Sequence, residues 1–247
     1  MVYNFQNKLI LITGATSGMG LVAAENVIES GGKVIVTGRN ESKLSDLAEK
    51  YGSCIVALKA DSTSPTTGTM LAETVAKHGS LDGLWLNAAI ARLGNLDEIT
   101  DGIYDQVMDV NVKGPMLQIS ALSKHLNNNA SIVITSSSSV YEGAAATSLY
   151  AASKGAVSAA ARVWARELAP RNIRVNTLVP GPIETNFRRF LPEEAKSGFE
   201  QFVIGQVPLG RSGTAQEAAN VALFLLSEHS SYITGSEIPV DGGLIMR

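Results

Sequence analysis

Short apolar runs alternate with longer stretches in which apolar residues return every three to four positions. The runs at 9–13, 34–37, 55–58, 83–87, 131–135, 174–179 and 237–240 are largely apolar and rich in Leu, Ile and Val. Continuous apolar runs of this length predict strands covered on both faces. Between them, 18–30, 41–51, 66–78, 104–126, 149–168 and 215–227 carry helical spacing, as in Leu21, Ala24, Val27 and Ile28. Gly31-Gly32 ends the first helix and leads into the second strand. Alternation of strand and helix predicts right-handed crossovers and a doubly wound α/β domain. The expectation is one Rossmann-type domain over 1–247, with a seven-stranded, mostly parallel sheet and helices on both faces. Two stretches break the rhythm, a polar loop at 93–102 and a long segment at 180–211. The latter, from about 184, reads as a lid-like insertion, because it leaves a strand at its C-terminal end, where open α/β sheets bind ligands.

Composition narrows the function. The 247 residues are 45% hydrophobic, enough for a large core, and the formal charge is −3. With no basic tail or basic helix, nucleic acid is not an expected partner. No run of about 18 apolar residues predicts a membrane span. Cys54 is the only cysteine, inside the apolar run 54–58, which fits a buried hydrophobe and a reducing, cytoplasmic setting. His78, His125 and His229 lie far apart, so no metal site is expected.

The chemistry concentrates at two places. Gly14, Gly18 and Gly20 fall between the first strand and the first helix, in Thr13-Gly14-Ala15-Thr16-Ser17-Gly18-Met19-Gly20. Glycines there permit a tight turn and let backbone amides approach a pyrophosphate at the helix N-terminus. The second strand ends in Thr37-Gly38-Arg39-Asn40, with no carboxylate for a ribose 2′-hydroxyl. Arg39 is placed to pair with a 2′-phosphate, so NADP is the expected cofactor and NAD the alternative. Ser17 offers a further hydroxyl. The second place is Tyr150-Ala151-Ala152-Ser153-Lys154, a Tyr and a Lys on one helix face, preceded by the serine run 136–139. A fixed ammonium beside a phenol is expected to lower its pKa.

On these motifs the chain resembles the short-chain dehydrogenase/reductase superfamily, in its simple branch of about 250 residues. The 13–20 motif is similar to the family's Thr-Gly-x-x-x-Gly-x-Gly, whose residues here are Gly14, Thr16, Ser17, Gly18, Met19 and Gly20. Asp61 resembles the aspartate that contacts adenine. Asn87-Ala88-Ala89 resembles the family's Asn-Ala-Gly, with Ala89 in place of the glycine. Asn111 resembles the asparagine that positions a water linking Lys154 to solvent. Ser137, thirteen residues before Tyr150, resembles the catalytic serine; only spacing ranks it above Ser136, Ser138 and Ser139. Pro180, Gly181, Ile183 and Thr185 resemble the segment that holds the nicotinamide carboxamide.

The resemblance implies hydride transfer between a nicotinamide and a ketone, aldehyde or secondary alcohol. Tyr150 would be the acid or base, Lys154 its helper and a ribose ligand, and Ser137 a donor to the substrate oxygen. The expected partner is a small carbonyl or alcohol, with a homotetramer built on helix 149–168 and its neighbour. Sugar or polyol dehydrogenases and 3-oxoacyl-acyl-carrier-protein reductases are the alternative activities. An acidic carrier would want a basic patch, for which Arg171 and Arg174 are the candidates. A dinucleotide sensor without turnover would lack the Tyr or Lys. A sugar epimerase or dehydratase would usually carry a longer C-terminal substrate domain and a different glycine spacing.

Overall fold

Alternate residues of each apolar run face opposite sides of one sheet, and each side is closed by its own helices. The computed structural model describes residues 3–185, 198 and 201–246. In chain order the strands are β1 (Leu9–Ile12), β2 (Lys33–Gly38), β3 (Ile55–Lys59), β4 (Leu81–Leu86), β5 (Leu126–Thr135), β6 (Arg174–Pro180), β7 (Ile183–Glu184), β8 (Gly213–Thr214) and β9 (Glu237–Val240). The helices are α1 (Gly18–Glu29), α2 (Glu41–Tyr51), α3 (Thr67–His78), α4 (Asp101–Met108), α5 (Gly114–Leu122), α6 (Ser139–Glu142), α7 (Ser148–Leu168) and α8 (Ala215–Leu226).

Seven strands form one sheet in the order β3-β2-β1-β4-β5-β6-β9, and every pairing is parallel. The order reverses between β1 and β4, which opens a crevice at their C-terminal ends. Ile10, Ile12, Val34, Val36 and Trp85 pack under α1, α2 and α8, through Ala24, Val27, Leu44, Leu47, Ala222 and Leu223. Leu9, Leu11, Ile35, Leu84, Ile132 and Ile134 pack under α3, α5 and α7, through Leu71, Val75, Ile119, Leu122, Val157 and Ala161. The period-two split of β1 between these cores is what a doubly covered strand requires.

Three expectations are corrected. The helix expected over 104–126 is two helices, joined by a π-helical turn at Asp109–Lys113, with Pro115 at the start of α5. Leu126, expected to end that helix, instead begins β5, where Leu81 pairs with it ahead of a register shift. The loop 93–102 holds a 3-10 turn, Leu96–Glu98, closed by a reciprocal Asn95–Glu98 capping box, and Thr100 caps α4.

Of the lid-like segment, residues 186–197 and 199–200 lie outside the described residues. Its two ends are joined. β7 pairs with β8, Ile183 to Gly213 and Glu184 to Thr214. Arg211 closes the return by a forked contact to Glu217, at 2.6 and 2.9 Å.

Candidate active site

The crevice receives the turn after β1. Gly14 and Gly18 take φ of +67° and +59°, a region that L side chains rarely adopt. Space matters as well as dihedral. A Cβ on Gly14 would stand 2.9 Å from the Ala88 Cα, and one on Gly18 would stand 3.2 Å from the Thr185 methyl. Asn87-Ala88 and the 180–185 segment therefore both close on this turn. Thr16 lies against Gly38 at the end of β2, where a Cβ would collide with it at 2.3 Å. Met19 is partly buried and packs against the core. Ser17 is the N-cap of α1 yet makes no capping hydrogen bond, which leaves its hydroxyl free for a ligand. Ala89 has an ordinary negative φ, so its methyl strains nothing.

Arg39 is exposed at the end of β2 and has no hydrogen bond or ion pair among the described residues. The nearby acid Glu41 is neutralised by Lys59 at 2.5 Å. Asp61 accepts from the Thr63 amide and hydroxyl, both at 2.9 Å. Those bonds hold its carboxyl below the usual range, helped weakly by Arg39. Pro180, Gly181, Ile183 and Thr185 run across the mouth, with Gly181 bonded to the Val240 carbonyl. A glycine cradle at a helix N-terminus, a free hydroxyl and an unpaired guanidinium fit a dinucleotide with a phosphate on its adenosine ribose.

Tyr150 and Lys154 share one face of α7 and are both buried. Ser137 hydrogen-bonds the Tyr150 phenol, and its Oγ also accepts the Ser139 amide at 3.2 Å. The rival serines are engaged elsewhere or lack that contact. Ser136 donates to the Lys154 carbonyl and accepts from Ser158. Ser138 donates its amide to the Pro180 carbonyl. Asn111 sits in the π-helical turn. Its amide accepts from the Ile90 N–H at 2.9 Å and donates to the Ile90 carbonyl at 2.8 Å and to Ser153 at 3.1 Å. Among the described residues its hydrogen-bond partners are Ile90 and Ser153, not Lys154.

The electrostatics correct one expectation. Burial pushes the Tyr150 phenol up to about 12; the Ser137 bond lowers it, and the charge of Glu142 raises it. Burial pulls the Lys154 ammonium down to about 7. The ammonium donates to the Thr135 carbonyl at 2.9 Å and stands 5.9 Å from the Tyr150 ring centre. It is therefore bound beside the phenol without being paired to it, and desolvation outweighs its field. Thr135, Trp85 and Ser153 were not among the expected site residues. A lone threonine ending the apolar run 131–135 and an indole inside β4 were the marks available in the sequence.

Comparison with known proteins agrees over the whole length. Residues 14–245 match the family model described as enoyl-(acyl carrier protein) reductase. A 3-oxoacyl-acyl-carrier-protein reductase of Thermotoga maritima is 35% identical, over 98% of this chain and 99% of its own. Human dehydrogenase/reductase SDR family member 4 is 32% identical, over 98% of this chain and 88% of its own. Among solved structures, a short-chain dehydrogenase/reductase of Brucella melitensis titled glucose/ribitol dehydrogenase superposes with a TM-score of 0.93, at 31% identity and full coverage of both chains. A blue fluorescent protein from a metagenomic library, in complex with NADPH, gives 0.90 at 28% identity, over 98% of this chain and 99% of its own. The chain belongs to the short-chain dehydrogenase/reductase family. It is an oxidoreductase that works on carbonyl and alcohol carbons with a nicotinamide cofactor. No helix among the described residues is long and apolar enough to cross a membrane.

Proposed function

We propose that this protein is an NADP(H)-dependent reductase of small ketones or aldehydes, reversible toward secondary alcohols, with Ser137, Tyr150, Lys154 and Asn111 as its working residues. The observation that carries this reading is the Ser137–Tyr150 hydrogen bond beside a buried Lys154 at the mouth of the glycine turn. A bound nicotinamide supplies or accepts the hydride. Tyr150 holds a proton throughout the neutral range, so it is ready to donate to an oxygen that gains charge. Ser137 donates to the same oxygen and stabilises that charge. Lys154 binds the ribose hydroxyls. Asn111 clamps the loop at Ile90 against α7 through Ser153. Pro180, Gly181, Ile183 and Thr185 face the carboxamide, while Gly14, Thr16, Ser17, Gly18, Met19 and Gly20 wrap the pyrophosphate. Asp61, Asn87 and Ala88 line the adenosine half. Residues 1–247 act as one unit, in a cytoplasmic setting.

Arg39 selects NADPH by pairing with the 2′-phosphate. Arg39→Ala weakens NADPH binding by roughly 1.5–3 kcal/mol, the worth of a charge-assisted hydrogen bond, and leaves NADH almost unchanged. Fluorescence titration of both cofactors measures this; equal losses for the two would remove Arg39 from the site.

A second substrate reading, a 3-oxoacyl group on a carrier protein, is favoured by the printed names of relatives such as the Thermotoga maritima reductase. Against it, Arg171 is spent on the carbonyls of Ser123 and Leu126 and on Asn128. Arg174 is spent on Ser227, Ser230 and Ile233. Neither is free to meet an acidic carrier. Rates on a 3-oxoacyl thioester, with and without the carrier protein, against simple ketones decide between the readings.

The segment 184–211 sets substrate choice as a lid, a role supported by its joined ends at β7 and β8 beside Thr185. Hydrogen exchange of 184–211 slows when NADPH and substrate are added; exchange that ignores both would end this role. A homotetramer is supported by the exposed apolar side chains Tyr104, Met116, Leu117 and Val163 on α4, α5 and α7. Charged substitution of Leu117 and Val163 lowers the mass measured by sedimentation.

A further inference from the structure

Thr135 ends β5 between the two halves of the site. Its hydroxyl accepts the Trp85 Nε1–H at 2.8 Å and donates to the Asn87 Oδ1 at 3.2 Å. The Asn87 Nδ2 then donates to the carbonyls of Thr13 at 3.1 Å and Gly14 at 3.4 Å. Those are the first residues of the glycine turn. The carbonyl of the same Thr135 accepts the Lys154 ammonium.

The directions in this chain are forced. Trp85 is fully buried, and an indole N–H is a donor only. Its partner is the Thr135 hydroxyl oxygen, which therefore accepts from it. The hydroxyl proton is then left for Asn87, whose oxygen must face Thr135. Turned over, Asn87 would aim its oxygen at two carbonyls and its N–H₂ at a hydroxyl whose proton already points there. The Trp85 donor therefore fixes the Thr135 hydroxyl, the hydroxyl fixes the Asn87 amide, and the amide holds the turn.

We propose that Thr135, oriented by Trp85, is a positioning residue for the dinucleotide turn and acts on it through the Asn87 amide. The inference rests on the dinucleotide reading of that turn. It gives the two polar groups at the C-terminal ends of β4 and β5 one function: to keep the Gly14 carbonyl turned toward Asn87 and the following amides toward the crevice.

The test uses Thr135→Val, which keeps the shape and the backbone carbonyl and removes the hydroxyl. NADPH affinity, read by quenching of protein fluorescence, falls about threefold to tenfold, the range for one lost hydrogen bond. KM for NADPH rises by the same factor while kcat stays within about twofold, as expected when binding geometry and not proton transfer is lost. Thr135→Ser, which restores the hydroxyl, returns both to wild-type values. Because Thr135→Val leaves the Trp85 N–H unpaired and lowers stability, Trp85→Phe/Thr135→Val is made as well. The double variant leaves no unpaired indole N–H, and its NADPH affinity stays weak, because the Asn87 Oδ1 still lacks the Thr135 hydroxyl. Wild-type NADPH affinity in the double variant would overturn the proposal and leave Thr135 a core residue. Wild-type protein that binds neither NADPH nor NADH would overturn the dinucleotide reading itself, whatever the variants do.

Discussion

Tyr150→Phe abolishes turnover and spares cofactor binding. The ring of Tyr150 is buried, and Phe fills the same volume, so the packing of α7 on the sheet survives. What goes is the one hydroxyl that is both bonded to Ser137 and held protonated by burial. General acid groups contribute about 10²–10⁴ in rate, and the loss falls on kcat with little change in cofactor affinity. Steady-state rates on a reducible ketone and a parallel NADPH titration give the two numbers. A variant that keeps near-native turnover would show that another group delivers the proton. Ser137→Ala should cost less, since Tyr150 still donates. The phenol then loses the bond that lowers its pKa, so it becomes a weaker acid in the same place.

How much of this was legible before the structure depends on which physical quantity each residue reports. Strand and helix alternation is a statement about burial, and burial is what hydropathy measures, so the sheet and its order of elements were readable. The break at Asn111 was not. Apolar positions continue through Val107, Val110, Ile119 and Leu122 on both sides of it, and the π-helical turn changes the register without changing the spacing much. Gly114-Pro115 was the mark that a helix restarts there. The early start of β5 was hidden by Asn127, Asn128 and Asn129, which fall where the register to β4 shifts between Leu126 and Ser131. At the site, the Tyr150–Lys154 spacing and the Ser137 offset were visible in the sequence. The sign of the pKa shifts was not, because it depends on where the ammonium points. The sequence places Lys154 beside the phenol; the fold turns its Nζ to the Thr135 carbonyl. Thr135 itself escaped notice because a threonine in a strand is ordinary until its neighbours are known to be an indole N–H and an amide oxygen.

Lys154→Met, which destroys function, stabilises the fold. Lys154 is buried and its ammonium is pulled from 10.5 down to about 7 by desolvation. The charged form is therefore worse off in the folded state than in the unfolded chain. Below pH 7 both states hold the proton, and the whole burden is present. Between pH 7 and 10.5 the unfolded chain binds more protons than the folded one, so stability rises with pH and the burden fades. At about 1.4 kcal/mol per pKa unit, the burden at pH 6 is of the order of a few kcal/mol. The bond to the Thr135 carbonyl offsets about 1 kcal/mol of what Met would gain. Methionine is an unbranched, uncharged chain one atom shorter, so urea unfolding at pH 6 should show the variant more stable than wild type by roughly 1–3 kcal/mol. The difference should shrink toward zero by pH 10. Turnover and NADPH affinity should both collapse, since the residue is expected to serve the phenol and the ribose together. A stability difference that is the same at both pH values would mean that burial of the charge is not the cause. A variant less stable at pH 6 would mean that the ammonium is better solvated by its protein partners than the Thr135 contact alone provides. The expected result makes Lys154 a cost that the large paired cores of the sheet carry, kept in place by the reaction it serves.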